Sequence, residues 1–477
     1  MIIMEKIIGR KQEIATLTTL KNSPKSEFAA VYGRRRVGKT FLIRNVFEEP
    51  FSFQLTGTAN VDLKTQLINF HTAFVKVNPA HAPKKPPKNW FDAFNRLSLF
   101  LETQPTGKKT IFLDELPWLD TPQSGFISSL EHFWNSWASY RSDVLLVVCG
   151  SAASWIINEL IGNTGGLHNR LTERIWLQPF SLSETEAFLK SKNGQYDRYQ
   201  LMELYMVMGG IPYYLDNVQV NRSVAQNIDR LFFAEGSILS NEYAFLYRSL
   251  FNDYEKHTTI VEALSQKAKG LTRKEILTLT KLSDGGTTTK VLDELAQSGF
   301  IKKYLPFGKD KRDALYQLID PFTLFYMSFI KDTMAEGEGA WLAQLDSPKW
   351  QAWSGYAFEF LCRYHVKNIK KHLGIGSVYA EISNWRSQAK SGGAQIDMLI
   401  DRKDRVINLC EMKFSTKPFT ITKAYAENLR HKMMIFKQET NTPKTLFLTI
   451  IAAHGLAENQ YSQQLVQDAL DMNALFD

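Results

Sequence analysis

The stretch V-Y-G-R-R-R-V-G-K-T-F-L-I-R-N-V-F, Val31 to Phe47, decides how the first half of the chain is read. From Gly33 the spacing is G-x-x-x-x-G-K-T, closed by Lys39 and Thr40, the pattern of a phosphate-binding loop. An apolar run, F-A-A-V-Y-G from Phe28, precedes it, and a helical pattern, T-F-L-I-R-N-V-F, follows. In that context the backbone of Gly33, Arg34, Arg35, Arg36, Val37 and Gly38, with the helix amino terminus, suits phosphate oxygens. Lys39 would reach the outer phosphates, and Thr40 would present its hydroxyl to magnesium.

Such a site also needs one carboxylate at a strand end to hold the metal and another to prepare water. T-I-F-L-D-E-L-P-W-L-D supplies Asp114 for the metal and Glu115 for the water; the plainer reading is two acids capping the turn that Pro117 starts. A further buried run, V-L-L-V-V-C-G-S-A-A-S-W-I, ends at Ser151, placed either to contact the terminal phosphate or attacking water, or to cap a helix. Arg170 and Arg174, in H-N-R-L-T-E-R-I, are candidate arginine fingers, set against the general tendency of arginine to lie on the surface.

Outward from the loop, five apolar runs alternate with helical stretches, starting at Phe28, Phe51, Thr110, Val144 and Arg174. Continuous apolar runs of this kind predict strands buried on both faces of a parallel sheet, hence a three-layer α/β domain. The prolines of His81–Trp90 predict a loop. From Leu182 to about Ser240 the pattern is helical, broken at Gly209, Gly210 and Pro212, which suggests a small helical lid. After Phe251 come three helical segments, with Thr272 as a cap, then a strand, the charged turn G-K-D-K-R-D and a second strand. Three helices and a basic-tipped hairpin make a winged helix. The remainder alternates helices and strands and is expected to end in polar helix. The division that follows is 1–240, 241–320 and 321–477.

The composition of the 477 residues, 44% hydrophobic and 22% charged, is that of a globular protein with several cores. No apolar run reaches the length of a membrane span, and M-I-I-M-E-K-I-I-G-R-K becomes charged too soon for a secretory signal, so no membrane partner and a cytoplasmic location are expected. Cys149, Cys362 and Cys410 offer neither a disulfide framework nor zinc spacing. A net charge of +8 favours a polyanionic partner without demanding one.

The carboxy-terminal stretch G-G-A-Q-I-D-M-L-I-D-R-K-D-R-V-I-N-L-C-E-M-K-F-S-T reads as a hairpin, with Asp397 in the first strand and Glu411 and Lys413 on one face of the second. It resembles nucleases of the PD-(D/E)xK type, and Glu359, in G-Y-A-F-E-F-L, matches the acid those proteins carry on a preceding helix. The resemblance implies that Asp397 and Glu411, with Glu359, hold magnesium while Lys413 orients water or balances charge. The alternatives are an exposed strand edge with solvated charges and a nuclease-like fold that binds nucleic acid without cutting.

The chain as a whole resembles the prokaryotic AAA-type ATPases of the archaeal ATPase family, related to the STAND NTPases. The residues that carry this are I-I-G-R-K-Q-E-I-A-T-L, Y-G-R-R-R-V-G-K-T-F-L-I, I-F-L-D-E-L-P-W-L, V-V-C-G-S-A-A-S-W-I, R-L-T-E-R-I-W-L-Q-P-F-S-L-S-E and G-G-I-P-Y-Y-L. The resemblance implies a P-loop NTPase with lid, a winged helix and an α/β nuclease-like domain, with ATP and magnesium as cofactors. It places Gly9 and Arg10 beside the adenine and makes Ser151 the sensor. The three arginines of the loop are common in that family, with no physical role here beyond favouring anions. DNA is the expected partner, and a homo-oligomer would form through the ATPase domain. A signalling or scaffold NTPase whose distal domains engage proteins without cleavage is the competing expectation.

Overall fold

Glu27–Tyr32 form β1, and every residue of it but the last is buried, as a strand covered on both faces requires. It belongs to the first of two compact units into which the computed structural model divides, Met1–Pro179 and Phe180–Asp477. The structure describes residues 7–47, 50–162, 165–251, 253–332, 337, 339–345, 347–387 and 393–476.

In the first unit α1 (Lys11–Lys21), β1, α2 (Lys39–Val46), β2 (Phe53–Thr56), α3 (Leu63–Val77), α4 (Trp90–Glu102), β3 (Lys109–Asp114), α5 (Phe126–Ser136), β4 (Val144–Gly150), the short α6 (Ala153–Trp155) and β5 (Glu173–Trp176) follow in order. The strands make one five-stranded sheet in the order β2-β3-β4-β1-β5, parallel throughout. These are the five runs singled out in the sequence, and the α/β class with a parallel sheet is as expected. Phe28, Ile111, Leu113, Leu146 and Val148 meet Trp90, Phe94, Phe126 and Trp134 from the helices in one core. The proline-rich segment carries only turns and bends until Asn89 caps α4 by accepting the Asp92 amide. Because the sheet is parallel, the segments that follow β1, β3 and β4 leave from its same edge, where ligands of open α/β sheets bind.

The second unit begins with α7 (Leu182–Ser191), α8 (Arg198–Met208), α9 (Pro212–Asp216), α10 (Val224–Ile228) and α11 (Glu242–Leu250). Gly209 ends α8 with φ 65°, and a Cβ on Gly210 would lie 1.9 Å from the Phe180 carbonyl oxygen, so the glycine pair permits a backbone approach no other residue allows. Next come α12 (Tyr254–Ser265), β6 (Leu271–Thr272), α13 (Arg273–Thr280), α14 (Gly286–Gln297), β7 (Ile301–Tyr304) and β8 (Leu315–Leu318). Thr272 caps α13 in a capping box with Glu275. The strands form a three-stranded antiparallel sheet, β6-β8-β7; the two-residue β6 was not anticipated.

The last part contains α15 (Pro321–Phe329), α16 (Pro348–Tyr364), α17 (Val366–His372), β9 (Ala380–Arg386), β10 (Gln395–Arg402), β11 (Val406–Lys413), α18 (Lys423–Thr440), β12 (Thr445–Ala452), α19 (Gln460–Leu465) and β13 (Asp468–Leu470). Its sheet runs β13-β12-β11-β10-β9, antiparallel where β10 meets β9 and β11, parallel where β12 meets β11 and β13. The expected polar helix at the end is corrected: α19 stops at Leu465, and Asp468–Leu470 pair with Thr449–Ile451 of β12. A three-residue strand carries too little pattern to show in sequence; a neighbouring strand with free edge groups creates it.

Candidate functional site

The loop after β1 is held open by backbone conformations its glycines supply. Gly33 has φ 148° and lies so close to Leu177 that a Cβ would sit 2.3 Å from that carbonyl oxygen, while Gly38 has φ 89° and caps α2. Lys39 turns back into the loop, its ammonium donating to the Gly33 and Arg34 carbonyls at 3.0 Å each. Burial pushes the Lys39 ammonium below its ordinary range, with Glu115 and Asp114 among the groups acting the other way. An anion arriving there would find a desolvated cation already in place.

Thr40 Oγ1 donates to Asp114, at 3.0 Å from Oδ1 and 3.1 Å from Oδ2. The Cys149 thiol, from the end of β4, donates to Asp114 Oδ1 at 2.7 Å, and burial drives its pKa up. Cys149 is therefore a packed donor that fixes the carboxylate. Glu115 has φ 48°, and its Oε2 accepts from both the amide (3.2 Å) and the hydroxyl (2.9 Å) of Ser151. That pairing decides between two readings of Ser151: its side chain meets Glu115, and α6 is capped by Ala152 without a side-chain bond. Asp114 does accept the Glu115 amide at 3.0 Å, so the turn reading holds for that contact alone.

Arg10 is buried, and its guanidinium donates to the Val37 carbonyl (3.2 Å) and the Gln178 carbonyl (2.7 Å). Gly9 and Arg10 take successive positive φ values of 67° and 55° to bring it there. Arg10 thus braces the loop, a role for which its place twenty-three residues ahead of Gly33 gave no signal. Arg34 is buried, Arg35 and Arg36 are half-buried, and Arg170 and Arg174 are exposed, Arg174 on the edge strand β5.

In the second unit, Met398 lies opposite Cys410 in the β10–β11 ladder, which sets Asp397 beside Glu411 at its end. A bulge between Ile396 and Leu399, where β10 pairs with β9, falls on Asp397 and re-aims its side chain. Burial, then the nearby Glu411 charge, raises the Asp397 carboxyl; burial, then Asp397, pushes Glu359 up to about 7. Burial also works against the charge on Glu411, yet Lys413 and Lys432 hold that carboxyl below its ordinary value. Glu411 Oε1 accepts from Lys413 Nζ (2.9 Å) and Tyr425 Oη (2.6 Å), and Oε2 accepts from Lys432 Nζ (2.7 Å). Arg363 pairs with Glu359 at 3.7 Å and donates to the Asp397 carbonyl at 2.6 Å. The four residues singled out in the sequence therefore share one buried centre. Tyr425 and Lys432 were missed; their spacing of seven on α18 puts them on one helix face, but nothing in the sequence says which strand that face meets.

The fit of each implied cofactor differs between the two sites. Loop glycines, a buried lysine and a Thr40–Asp114 oxygen pair suit a nucleotide phosphate chain with magnesium. In the acidic centre both Glu411 oxygens are already engaged, and among the described residues no group of three or more His, Cys, Asp or Glu is arranged to hold a metal ion. As described, the centre does not fit magnesium.

Fold and loop define the first unit as an ATPase domain of the phosphate-loop class. Residues 7–218 match the family model of an ATPase domain found predominantly in Archaea, and this part of the chain is an ATPase domain of that kind. An uncharacterised protein of Methanocaldococcus jannaschii is 23% identical over 433 residues, covering 90% of this chain and 92% of that one. Among solved structures, the Walker-type ATPase of Pyrococcus abyssi aligns with a TM-score of 0.49 at 17% identity, over 68% of this chain and 96% of its own. The ORC2 protein of Aeropyrum pernix aligns at 0.42 and 14% identity, over 72% and 96%. Among the described residues no helix is long and apolar enough to cross a membrane.

Proposed function

We propose that the chain binds and hydrolyses ATP with magnesium, and that its nucleotide state controls a nucleic-acid-binding module in the second unit. The observation that carries this is the meeting of Lys39, Thr40, Asp114, Glu115 and Ser151 after three neighbouring parallel strands. In this reading the loop amides and Lys39 hold the outer phosphates, Thr40 and Asp114 hold the magnesium that neutralises phosphate charge, and Glu115 orients water with Ser151 positioning its carboxylate. Gly9 and Arg10 set the shape of the loop from behind.

The domain division that suits this reading is an ATPase with lid over 1–240, a winged helix over 241–320 and a PD-(D/E)xK-like domain over 321–477. DNA is the favoured partner, with Lys309, Lys311 and Arg312 on the wing as phosphate contacts. Asp397, Glu411 and Lys413, with Glu359, are the candidate phosphodiester-cleaving set. The commitment of Glu411 to two lysines and a tyrosine favours a second reading, in which this module binds its partner without cutting. Hydrolysis of ATP by the wild type and by Lys39→Ala, with and without single- and double-stranded DNA, tests the proposal. Loss of hydrolysis in the variant and a DNA-dependent rate in the wild type support it. A wild-type rate in Lys39→Ala rejects the assigned ATP site, and a rate indifferent to DNA moves the controlled partner to the protein class.

A further inference from the structure

The acidic centre contains cations of its own. Lys432 Nζ stands 2.7 Å from Glu411 Oε2 and Lys413 Nζ 2.9 Å from Oε1, with the Tyr425 hydroxyl completing the set at 2.6 Å. The Glu411 side chain is 6% exposed and that of Lys432 21%, so solvent screens the pair weakly. Lys269 approaches from the loop before β6, bonded to Gln395 and close enough to feel the charges of Glu359 and Asp397. Arg363 faces the same pair from α16. Three acids are thus matched by four basic side chains.

The contributions of the two lysines at Glu411 are not equivalent. Lys413 is anchored two residues along the same strand, and its ammonium lies 5.2 Å from the Tyr425 ring centre and 5.8 Å from that of Phe419, so it has aromatic faces to hold it wherever Glu411 turns. Lys432 comes from a different element, two helical turns beyond Tyr425 on α18, and is bonded to the one Glu411 oxygen that neither Lys413 nor Tyr425 takes. A small divalent ion must bind carboxylate oxygen directly at about 2.0–2.1 Å, which requires an oxygen lone pair not already given to an ammonium.

We propose that Lys432 is a tethered counter-cation that occupies the metal-facing oxygen of Glu411, so that a divalent ion loads this centre only when the lysine lets go. The inference rests on reading Asp397 and Glu411 as the ligands of a divalent-cation site. It accounts for the disagreement between the carboxylate set and the absence of a preassembled metal group among the described residues. A purely structural ion pair would behave oppositely: removing one partner would leave a buried carboxylate poorer in neighbours with no gain for a metal.

The test is Mn(II) binding to the nucleotide-free full chain, followed by electron paramagnetic resonance, in wild type, Lys432→Met, Lys432→Gln and Lys432→Arg. Each is measured with and without Asp397→Ala, so that the Asp397-dependent part of the signal identifies this centre. Asp397-dependent binding should tighten about tenfold or more in Lys432→Met and Lys432→Gln, since a charge-assisted bond to Glu411 no longer competes. Lys432→Arg should stay near wild type. Asp397-dependent affinity that is unchanged or weaker in both neutral variants overturns the counter-cation role and leaves the metal site standing. Binding that ignores Asp397→Ala in every background overturns the metal site itself, and the inference with it.

Discussion

The hydroxyl of Thr40 and the carboxylate of Asp114 are joined at 3.0 and 3.1 Å, although β4 lies between the strands they follow. The residue after the loop lysine and the acid at the end of β3 therefore already form the pair of oxygens a magnesium ion would share. Lys39 does not take part in that pair; it is bonded back to the loop carbonyls.

From that arrangement, Lys39→Ala should reduce ATP hydrolysis to background and weaken nucleotide binding at least tenfold, because it removes the desolvated charge nearest the outer phosphates. Titration with a fluorescent ATP analogue and phosphate release measure the two effects. Binding at wild-type affinity would place the phosphates elsewhere.

Glu115→Gln should bind ATP as the wild type does while hydrolysing it roughly 10²- to 10⁴-fold more slowly, the range for loss of a positioned acid–base group. Thr40 and Asp114 are untouched by the change, and the amide oxygen can still accept from Ser151. Equal loss of binding and turnover would make Glu115 a structural residue. Single-turnover kinetics separate these outcomes.

Lys311 and Arg312 are exposed and Lys309 is half-buried in the turn between β7 and β8. If they neutralise DNA phosphates, replacing all three with alanine should lower the slope of log affinity against log salt by up to about 3, near 0.9 for each duplex phosphate no longer neutralised. Fluorescence anisotropy across a salt series reads the slope. An unaltered slope would move the DNA-binding surface off this turn.

His365 is buried, and its Nε2 accepts from the Leu182 amide at 3.1 Å while Nδ1 donates to the Leu361 carbonyl at 2.9 Å. Burial lowers its pKa from the ordinary 6.5 to about 4. The unfolded chain then binds the proton more readily than the folded one. The stabilising contribution is full above pH 6.5 and is lost as pH falls towards 4, amounting to up to about 3 kcal/mol. His365→Gln should flatten the decline in melting temperature across that window in thermal scans, and an unchanged decline would assign it to other groups.

The parallel sheet and the phosphate loop were legible because each rests on short-range pattern: five apolar runs of strand length, and a glycine–lysine–threonine spacing that follows one of them. Local backbone sterics and burial on both faces leave such segments few alternatives. The identities of Asp114 and Glu115 were legible for the same reason, as polar residues at the end of a buried strand. Asp397, Glu411 and Lys413 could be placed on a hairpin because side chains alternate along strands.

What only the tertiary structure decided is which distant groups consume those side chains. Arg10 could be assigned to Val37 and Gln178, Cys149 to Asp114, and Lys432 to Glu411 only after the chain had folded. A hydrogen bond acts over about 3 Å, whereas a helix face seen in sequence can turn towards any neighbour. Spacing therefore tells that Tyr425 and Lys432 point the same way, and packing alone tells that they point at Glu411. The sequence by itself determined the chemistry available at each site; the three-dimensional pairing of charges decided which carboxylates remain free to use it.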